Sequence, residues 1–261
     1  MSDDPLAEAY ERGLAHEKAG RAEEAAAAYR QALALDANDP GGVALRLAAL
    51  GHGAAPDKAP PAYVATLFDQ HAEVFDLILV DQLEYGVPML IRERLQTHAL
   101  GPFANMLDLG CGTGLAAIAV EDMCERFTGV DLAEGMIEVA DEKEIFNDLF
   151  IADAVNFLDG TEGTYDLIIA ADVLPYLGDA APLFRGVAAR LNPGGVFAFS
   201  TETRQMEEDW RIIPSHRYAH ALPYIERQIA KAGLKMLEAL EINVREEEGE
   251  PSPGHLILAT A

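Results

Sequence analysis

A short apolar strand that runs into three alternating glycines, at residues 106–114, constrains this chain more than any other segment. It reads Met-Leu-Asp-Leu-Gly-Cys-Gly-Thr-Gly and leads into an alanine-rich run typical of a helix. Glycines allow a tight turn, let a ligand approach the backbone where a Cβ would otherwise stand, and expose the N–H groups at the start of the helix. The segment therefore predicts a strand, turn and helix that bind an adenosine-bearing ligand.

The glycine spacing and a nearby acid narrow the choice of ligand. The dinucleotide pattern G-x-G-x-x-G would need its third glycine where this chain has Leu115. Asp108 stands two residues before the first glycine, and its carboxylate suits a ligand with an ammonium and a sulfonium better than a pyrophosphate. The segment resembles motif I of the class I S-adenosylmethionine-dependent methyltransferases. This resemblance implies S-adenosylmethionine as cofactor, bound at Asp108, Gly110, Cys111, Gly112 and Gly114.

Acidic residues also follow the next two strands. Asp131 ends a short strand, residues 126–131, at the distance from the glycines where a Rossmann-like sheet places its ribose-binding carboxylate. Asp131 also precedes a helical run, residues 134–142, so the role of a helix N-cap stays open. Asp153 follows a third strand, residues 149–154, and the resemblance implies that it lies near the adenine amino group. The other cofactor residues implied on these segments are Leu132, Met136 and Ala154.

A fourth strand, residues 165–172, is an apolar run typical of a strand buried on both faces of a parallel sheet. Ligands bind beyond the carboxyl ends of such strands, so we expect Ala171, Asp172 and Tyr176 beside the methionine half of the cofactor. The alternative role of Asp172 is to cap the following turn. The stretch Asp-Val-Leu-Pro-Tyr at residues 172–176 also lacks the two consecutive prolines of the nucleic-acid amino-methyltransferases.

The later segments complete an α/β fold. An Asn-Pro-Gly-Gly turn at residues 192–195 precedes a fifth strand at 196–200. A helix at 223–232 follows, and then two strands at 234–244 and 255–260. The resemblance implies a Rossmann-like, seven-stranded, mostly parallel sheet in the order 3-2-1-4-5-7-6, with helices on both faces.

The N-terminal 50 residues form a separate helical unit. Alanine-rich helices are predicted at 6–19 and 22–35, and their small and aromatic positions resemble one tetratricopeptide (TPR) repeat. Repeats of this kind need neighbours to bury their faces, so a single one must dock on the chain's own catalytic part, on a second copy, or on a partner protein. We predict a helical hairpin at 1–50, a linker at 51–61 and a methyltransferase domain at 62–261.

Composition excludes several classes of protein. The formal net charge of −25, from 19 basic and 44 acidic residues, argues against a nucleic-acid ligand, whose phosphates need clustered Lys and Arg. The sequence has neither an apolar span long enough for a membrane nor a secretory leader, and two cysteines do not make a disulfide framework, so we expect a cytoplasmic protein. We expect no metal, because His216 and His220 lack the Glu of a zinc-binding helix.

The methyl acceptor is expected near the connection at residues 202–222. This connection concentrates cationic and aromatic side chains that suit an anionic or planar molecule, although a solvated surface loop is the alternative reading. Phe68, on a predicted helix at 63–76, is either a core residue or part of a lid. The candidate acceptor residues are Phe68, Glu202, Trp210 and Arg217, and the candidate bases are His216, Tyr218 and His220.

These observations predict a methyltransferase that acts on a small, anionic metabolite. The second hypothesis is a methyltransferase that acts on protein side chains. A nonenzymatic assembly factor that works through its TPR-like repeat is the third, although the intact glycine turn and Asp131 argue against loss of the cofactor. An NAD-linked oxidoreductase ranks last because of Leu115.

Overall fold

The computed structural model describes residues 4–247 and 249–261, except for the side chains of residues 80–82. Residues 1–3 of the predicted N-terminal unit therefore lie outside the described part. The α-helices are α1 (Pro5–Lys18), α2 (Ala22–Leu35), α3 (Val43–Ala49), α4 (Pro61–Asp69), α5 (Val87–Thr97), α6 (Leu115–Ala119), α7 (Glu134–Glu142), α8 (Ala154–Gly160), α9 (Ala181–Arg190) and α10 (Leu222–Lys231). The strands are β1 (Phe103–Leu109), β2 (Cys124–Asp131), β3 (Asp148–Ile151), β4 (Tyr165–Ala170), β5 (Leu191–Glu202), β6 (Trp210–Ile212), β7 (Tyr218–His220), β8 (Lys235–Glu247) and β9 (Glu250–Thr260).

The strands form one mixed sheet. Its hydrogen-bonded strands lie in the order β3-β2-β1-β4-β5-β7-β6. β8 and β9 form an antiparallel pair, and β9 also pairs with β5. β1 to β5 are mutually parallel, whereas β9 runs antiparallel to β5. The predicted α/β class and Rossmann-like order are confirmed, with β9 and β8 in the places expected for the last two of seven strands.

The short strands β6 and β7 are an addition that the sequence did not predict. Glu202 of β5 pairs with Gly254 of β9 and also with Ala219 of β7. A strand residue has one neighbour on each edge, so β7 lies on the β4 edge, beyond the last β4 pair at Phe199. The hairpin of β6 and β7 therefore stands above the carboxyl end of β4, in the connection that was expected to be a loop.

Alternating apolar side chains build a core on each face of the sheet. Along β1, Leu107 and Leu109 belong to the core covered by α8, α9 and α10, whereas Met106 belongs to the core covered by α5 and α6. Such two-sided burial explains why the parallel strands read as continuous apolar runs. It leaves the turns at the carboxyl ends of the strands free to carry polar side chains.

The N-terminal helices pack as an antiparallel pair with their own small core. Gly13 of α1 lies so close to the ring of Tyr29 on α2 that a Cβ there would collide with it. The third helix, α3, continues into the rest of the molecule, since Leu45 is fully buried with Val64 of α4 and Tyr218 of β7. Three docking surfaces were expected for the N-terminal unit. In the structure it packs on one of them, the chain's own catalytic part. Membership of the TPR family stays a prediction.

The expected linker and the helix predicted at 63–76 also differ from the structure. The expected linker is hydrogen-bonded to the catalytic part, because the carbonyl of Asp57 accepts from the N–H groups of Gly178 and Asp179 at 2.8 and 2.9 Å, and Ala59 N donates to Tyr176 O at 2.8 Å. The predicted single helix at 63–76 is α4 followed by a 3-10 turn at Ala72–Val74 and a π-helix at Leu77–Gln82. Both segments contact residues distant in sequence, since Asp69 at the end of α4 also accepts from Gly135 N at 2.9 Å.

We predict that Leu45→Ala lowers the free energy of unfolding by about 2 to 5 kcal/mol, because it leaves a cavity between α3 and the hairpin of β6 and β7. Leu35→Ala is the matched control, since Leu35 is 56% exposed, and should change that energy by less than about 0.5 kcal/mol. Urea denaturation of both variants makes the measurement. Equal, small losses would contradict the packing of α3 on the catalytic part.

Candidate cofactor and acceptor site

A cavity lies at the carboxyl ends of β1 to β4, where the apolar strands give way to polar turns. Segments between residues 58 and 88 cover it from above. The predicted residues that line it are Phe68, Asp108, Gly110, Cys111, Gly112, Asp131, Leu132, Asp153, Ala154, Ala171, Asp172 and Tyr176. Two predicted cofactor residues do not line it: Gly114 caps α6 behind the turn, and Met136 is fully buried beneath the cavity.

The glycine turn has the close approach that its sequence predicted. Gly110 has a φ of +64°, and a Cβ there would stand 2.6 Å from Val173 Cγ2. Cys111 N donates to Val130 O at 3.0 Å, which ties the turn to the end of β2. A side chain at Gly110 would therefore be strained and would also push against the segment after β4.

Asp108 lies buried beneath this turn. Its side chain is 1% exposed, and Oδ2 has no hydrogen-bond partner among the described residues. Burial raises the pKa of Asp108 to about 8, and the nearby Asp131 carboxylate adds to the increase. At neutral pH this carboxyl group is therefore protonated in most molecules.

Asp131 connects the turn after β1 with the start of α7. Its Oδ2 accepts from Gly112 N and its Oδ1 from Ala133 N, both at 2.9 Å. Burial raises the pKa of this carboxyl, while the two backbone hydrogen bonds oppose the increase. Each oxygen can accept one more hydrogen bond, so the group is suited to a diol in the cavity.

Asp153 combines a capping role with a place on the cavity wall. Its Oδ1 accepts from Asn156 N at 3.1 Å at the start of α8, and its Oδ2 lies 3.0 Å from Lys58 Nζ. Lys58 also lines the cavity. Sequence reasoning missed Lys58, because it lies in the expected linker and nothing in the local pattern indicates a partner 95 residues away.

The end of β4 brings a carboxylate to the other side of the cavity. Asp172 has a φ of +65°, unusual for a residue with a side chain, and its N–H donates to Ser200 Oγ at 2.9 Å. Both carboxylate oxygens of Asp172 bind the guanidinium of Arg245, at 2.7 and 2.9 Å. Arg245 comes from β8 and was also missed, since it resembles any charged residue of an edge strand.

The predicted acceptor and base residues of 202–222 do not line the cavity. Glu202 is fully buried, Arg217 lies between Glu202 and Glu247, and Trp210 packs edge-on against Tyr218 at 5.5 Å between ring centroids. These side chains hold the hairpin of β6 and β7 in place. Only Phe68, from the covering helix α4, remains at the cavity as expected.

The three candidate bases also have structural partners. His216 Nε2 lies 3.7 Å from Glu17 of α1, and Tyr218 donates its O–H to the carbonyl of Pro56 at 2.7 Å. His220 is buried with Nε2 3.2 Å from Gly178 O, and burial lowers its pKa to about 4. None of the three lines the cavity, and the role of a base stays a prediction for them.

An aromatic lid covers the cavity. The Phe68 ring packs edge-on against Phe75 and Tyr176, with centroid distances of 5.8 and 5.5 Å. Asp76 accepts a hydrogen bond from Thr113 of the glycine turn and lies 2.6 Å from Lys143 Nζ. The lid is therefore attached to the same turn that forms the cavity floor.

Comparisons with known proteins agree with this geometry. Residues 107–197 match the model of a methyltransferase domain. The chain is 24% identical over 177 residues to a malonyl-[acyl-carrier protein] O-methyltransferase of Serratia marcescens, covering 66% of this chain and 67% of that protein. It is 30% identical over 106 residues to a ubiquinone biosynthesis O-methyltransferase of Coxiella burnetii, covering 40% of this chain and less than half, 45%, of that protein.

A solved structure shares the fold. The S-adenosylmethionine-dependent methyltransferase of Clostridium acetobutylicum superposes with a TM-score of 0.56 and 20% identity, covering 74% of this chain and 98% of the other. Residues 107–197 of this chain therefore form a methyltransferase domain. The cofactor of the domain is S-adenosylmethionine, and the cavity fits it: a buried carboxylate with free acceptor sites, a glycine turn without side chains, and a second carboxylate line one continuous space.

Among the described residues, no helix is both long and apolar enough to cross a membrane. The same residues contain no group of three or more His, Cys, Asp or Glu side chains placed to hold a metal ion.

We expect Asp131→Ala to weaken S-adenosylmethionine binding by about 2 to 4 kcal/mol, because two charge-assisted hydrogen bonds would be lost. Isothermal titration calorimetry on the folded variant makes the measurement. Asp148→Ala is the control, because Asp148 lies on the exposed edge strand β3 and pairs only with Arg126 among the described residues. Unchanged affinity in the Asp131 variant would contradict its assignment to the ribose.

The raised pKa of Asp108 leads to a prediction about how the stability of the fold depends on pH. In the unfolded chain its carboxyl ionises near the ordinary pKa of 3.8, whereas in the folded protein it keeps its proton up to about 8, so deprotonation increasingly disfavours the folded state between these values. Asp108→Asn should therefore gain stability relative to the parent as the pH rises through this window, by more than about 1 kcal/mol. Urea denaturation at several pH values tests this. The exposed control Asp159→Asn should show no such trend.

Proposed function

We propose that this protein transfers the methyl group of S-adenosylmethionine to a small, planar molecule held under the aromatic lid. The observation that carries the proposal is the continuity of the cavity, which runs from Asp131 and Asp153 at one end to Asp172 at the other, beneath Phe68 and Phe75. The first end offers the polar groups that a nucleoside needs. The second end offers aromatic and aliphatic walls.

We assign the cofactor contacts by the polar groups that face the cavity. Asp131 would accept from the ribose hydroxyls, and Asp153, kept in place by Lys58, would accept from the adenine amino group. The side-chain-free turn at Gly110 and Gly112 would let the ligand lie against the backbone. When bound, S-adenosylmethionine supplies an electrophilic methyl group, so the protein has to align the acceptor and exclude water rather than activate a leaving group.

The acceptor end of the cavity favours a small molecule over a protein side chain. Leu79 and Tyr85 line this end together with the lid, and the strand-like segment at 57–59 is hydrogen-bonded across the rim. A methyltransferase of folded proteins needs an open groove for the target chain. Here the lid and the segment at 57–59 lie over the cavity, which favours an acceptor small enough to bind beneath them.

The charge of the acceptor is part of the proposal. The sequence favours an anion bound by Arg217, but this guanidinium lies 2.6 Å from a Glu202 oxygen and 2.5 Å from a Glu247 oxygen, outside the cavity lining. Lys58, the one cation lining the cavity among the described side chains, is already paired with Asp153. The geometry therefore supports a neutral, planar acceptor better than an anionic one.

Oxygen is our first choice for the methylated atom. The two relatives are named as O-methyltransferases, one of malonyl-[acyl-carrier protein] and one of ubiquinone biosynthesis. A neutral aromatic hydroxyl combines this atom with the aromatic cavity wall. We expect release of S-adenosylhomocysteine when the protein is incubated with S-adenosylmethionine and members of a panel of small phenols.

The panel should also contain amines, carboxylic acids and unstructured peptides, because these separate the competing proposals. Turnover of phenols above the other classes supports the assignment. Turnover of peptides alone would contradict it and favour a protein methyltransferase. Binding of cofactor without turnover of any class would favour the nonenzymatic reading.

Tyr85 provides a test of the acceptor wall. It is 7% exposed, and burial raises its pKa well above the usual value. Tyr85→Leu should raise the acceptor KM about three- to tenfold by removing the ring, with little change in S-adenosylmethionine affinity. Tyr85→Phe keeps the ring and serves as the matched control. Steady-state kinetics gives the acceptor KM, and calorimetry gives the S-adenosylmethionine affinity. Equal weakening of both would contradict the place of Tyr85 in the acceptor wall.

A further inference from the structure

A buried series of alternating charges leads from the cavity to the protein surface. It consists of Asp172, Arg245, Glu202, Arg217 and Glu247, and we call it the ion-pair chain. Arg245 binds Asp172 through two nitrogens, at 2.7 and 2.9 Å, and Glu202 through Nη2 at 2.5 Å. Arg217 then lies 2.6 Å from Glu202 and 2.5 Å from Glu247. The chain begins with a carboxylate at the cavity and ends with another near the surface.

Local strand geometry brings Arg245 into this position. The pairing of β8 with β9 shifts register between Asn243 and Arg245, and both Val244 and Arg245 are buried, at 0% and 4% exposure. In a regular strand two successive side chains would point to opposite faces, so the irregularity redirects one of them. Placing a guanidinium here is costly unless carboxylates surround it, which Asp172 and Glu202 do.

The charges of the ion-pair chain do not cancel. Three carboxylates alternate with two guanidinium groups, so one negative charge is left over. Glu202 partly compensates Arg245 from the side away from the cavity, which leaves Asp172 less than fully neutralised. The hydroxyls of Tyr85 and Tyr176 also lie near Asp172, and neither is a cation.

The sheet order fixes where this negative charge lies in the cavity. Asp131 and Asp153 follow β2 and β3, whereas Asp172 follows β4 on the opposite side of β1. A ligand whose nucleoside contacts the first two acids therefore extends towards Asp172 at its other end. Lys58, the cation of the described lining, lies with Asp153 at the nucleoside end and does not offset Asp172.

We propose that Asp172, oriented and charge-compensated by Arg245 and Glu202, makes the site selective for the methyl donor over its demethylated product. The donor carries a sulfonium and is positively charged at its methionine end, whereas S-adenosylhomocysteine has a neutral thioether there. A fixed carboxylate attracts the first more strongly than the second. Arg245 and Glu202 are positioning residues in this proposal, because they act through Asp172. Product would then leave more readily than donor.

This inference concerns the cofactor and does not depend on the identity of the acceptor. The test measures dissociation constants of S-adenosylmethionine and S-adenosylhomocysteine by calorimetry. Asp172→Asn keeps the shape of the side chain and removes its charge. We expect it to weaken binding of the donor about tenfold and that of the product less than about threefold, so that the preference shifts towards the product.

Sinefungin adds a third ligand to the test, because it carries an ammonium where the donor has its sulfonium. Its affinity should fall together with that of S-adenosylmethionine in the Asp172 variant. Equal weakening of all three ligands would assign Asp172 a merely structural role and overturn the proposal. An unchanged preference would overturn it as well. Failure of the parent protein to bind any of them would instead contradict the proposed function.

Two more variants keep the proposal testable if the Asp172 variant does not fold. Glu202→Gln keeps Asp172 but removes the carboxylate that partly neutralises Arg245, so Arg245 neutralises Asp172 more fully. We therefore expect the preference for donor over product to fall, by less than in the Asp172 variant. Glu238→Gln is the control, because Glu238 is an Arg-paired carboxylate on β8, the strand of Arg245, and does not line the cavity. A shift in the control as large as that in Glu202→Gln would contradict the proposal, and so would no shift in Glu202→Gln.

Discussion

The site depends on one carboxylate that joins two turns. Asp131 accepts hydrogen bonds from Gly112 after β1 and from Ala133 before α7, and so fixes the ends of two neighbouring strands relative to each other. Backbone N–H groups buried without a partner would destabilise the fold, and Asp131 supplies that partner at both places. The glycine turn, the floor of the cavity and the start of α7 therefore share a single anchoring group, which also lines the cavity.

The cover of the cavity comes from the N-terminal third of the chain and is attached at several points. Asp76 of the lid bonds to Thr113, the segment at 57–59 is hydrogen-bonded to residues 176–179, and Leu45 of α3 is buried against Tyr218. The helical unit and the hairpin of β6 and β7 thus support each other above the strand ends. This arrangement links the N-terminal helices to the acceptor end, although they contribute no side chain to the cavity lining described here.

Buried charge has two different consequences in this protein. Asp108 has an oxygen without a partner among the described residues, and burial raises its pKa to about 8, so it is mostly neutral under the glycine turn. Asp172 and Glu202 share Arg245, and a buried guanidinium with two carboxylates makes removal of any one partner costly. Burial raises the pKa of Asp108 and of Glu202 alike, but two guanidinium groups oppose the increase at Glu202.

The amino-acid sequence by itself determined the parallel sheet, the glycine turn and the acids that follow β2, β3 and β4. Each of these is a local signal: an apolar run of strand length, a turn that needs glycine, and a polar residue directly after it. The helix α7 was predicted with its observed bounds, and α2 likewise. Only the tertiary structure decided that Lys58 meets Asp153, that Arg245 meets Asp172, and that residues 202–222 form a hairpin whose Arg217 is already ion-paired. Those contacts join segments up to 95 residues apart, and the free energy that selects them comes from burial and charge pairing in the folded chain, which no local pattern of residues contains.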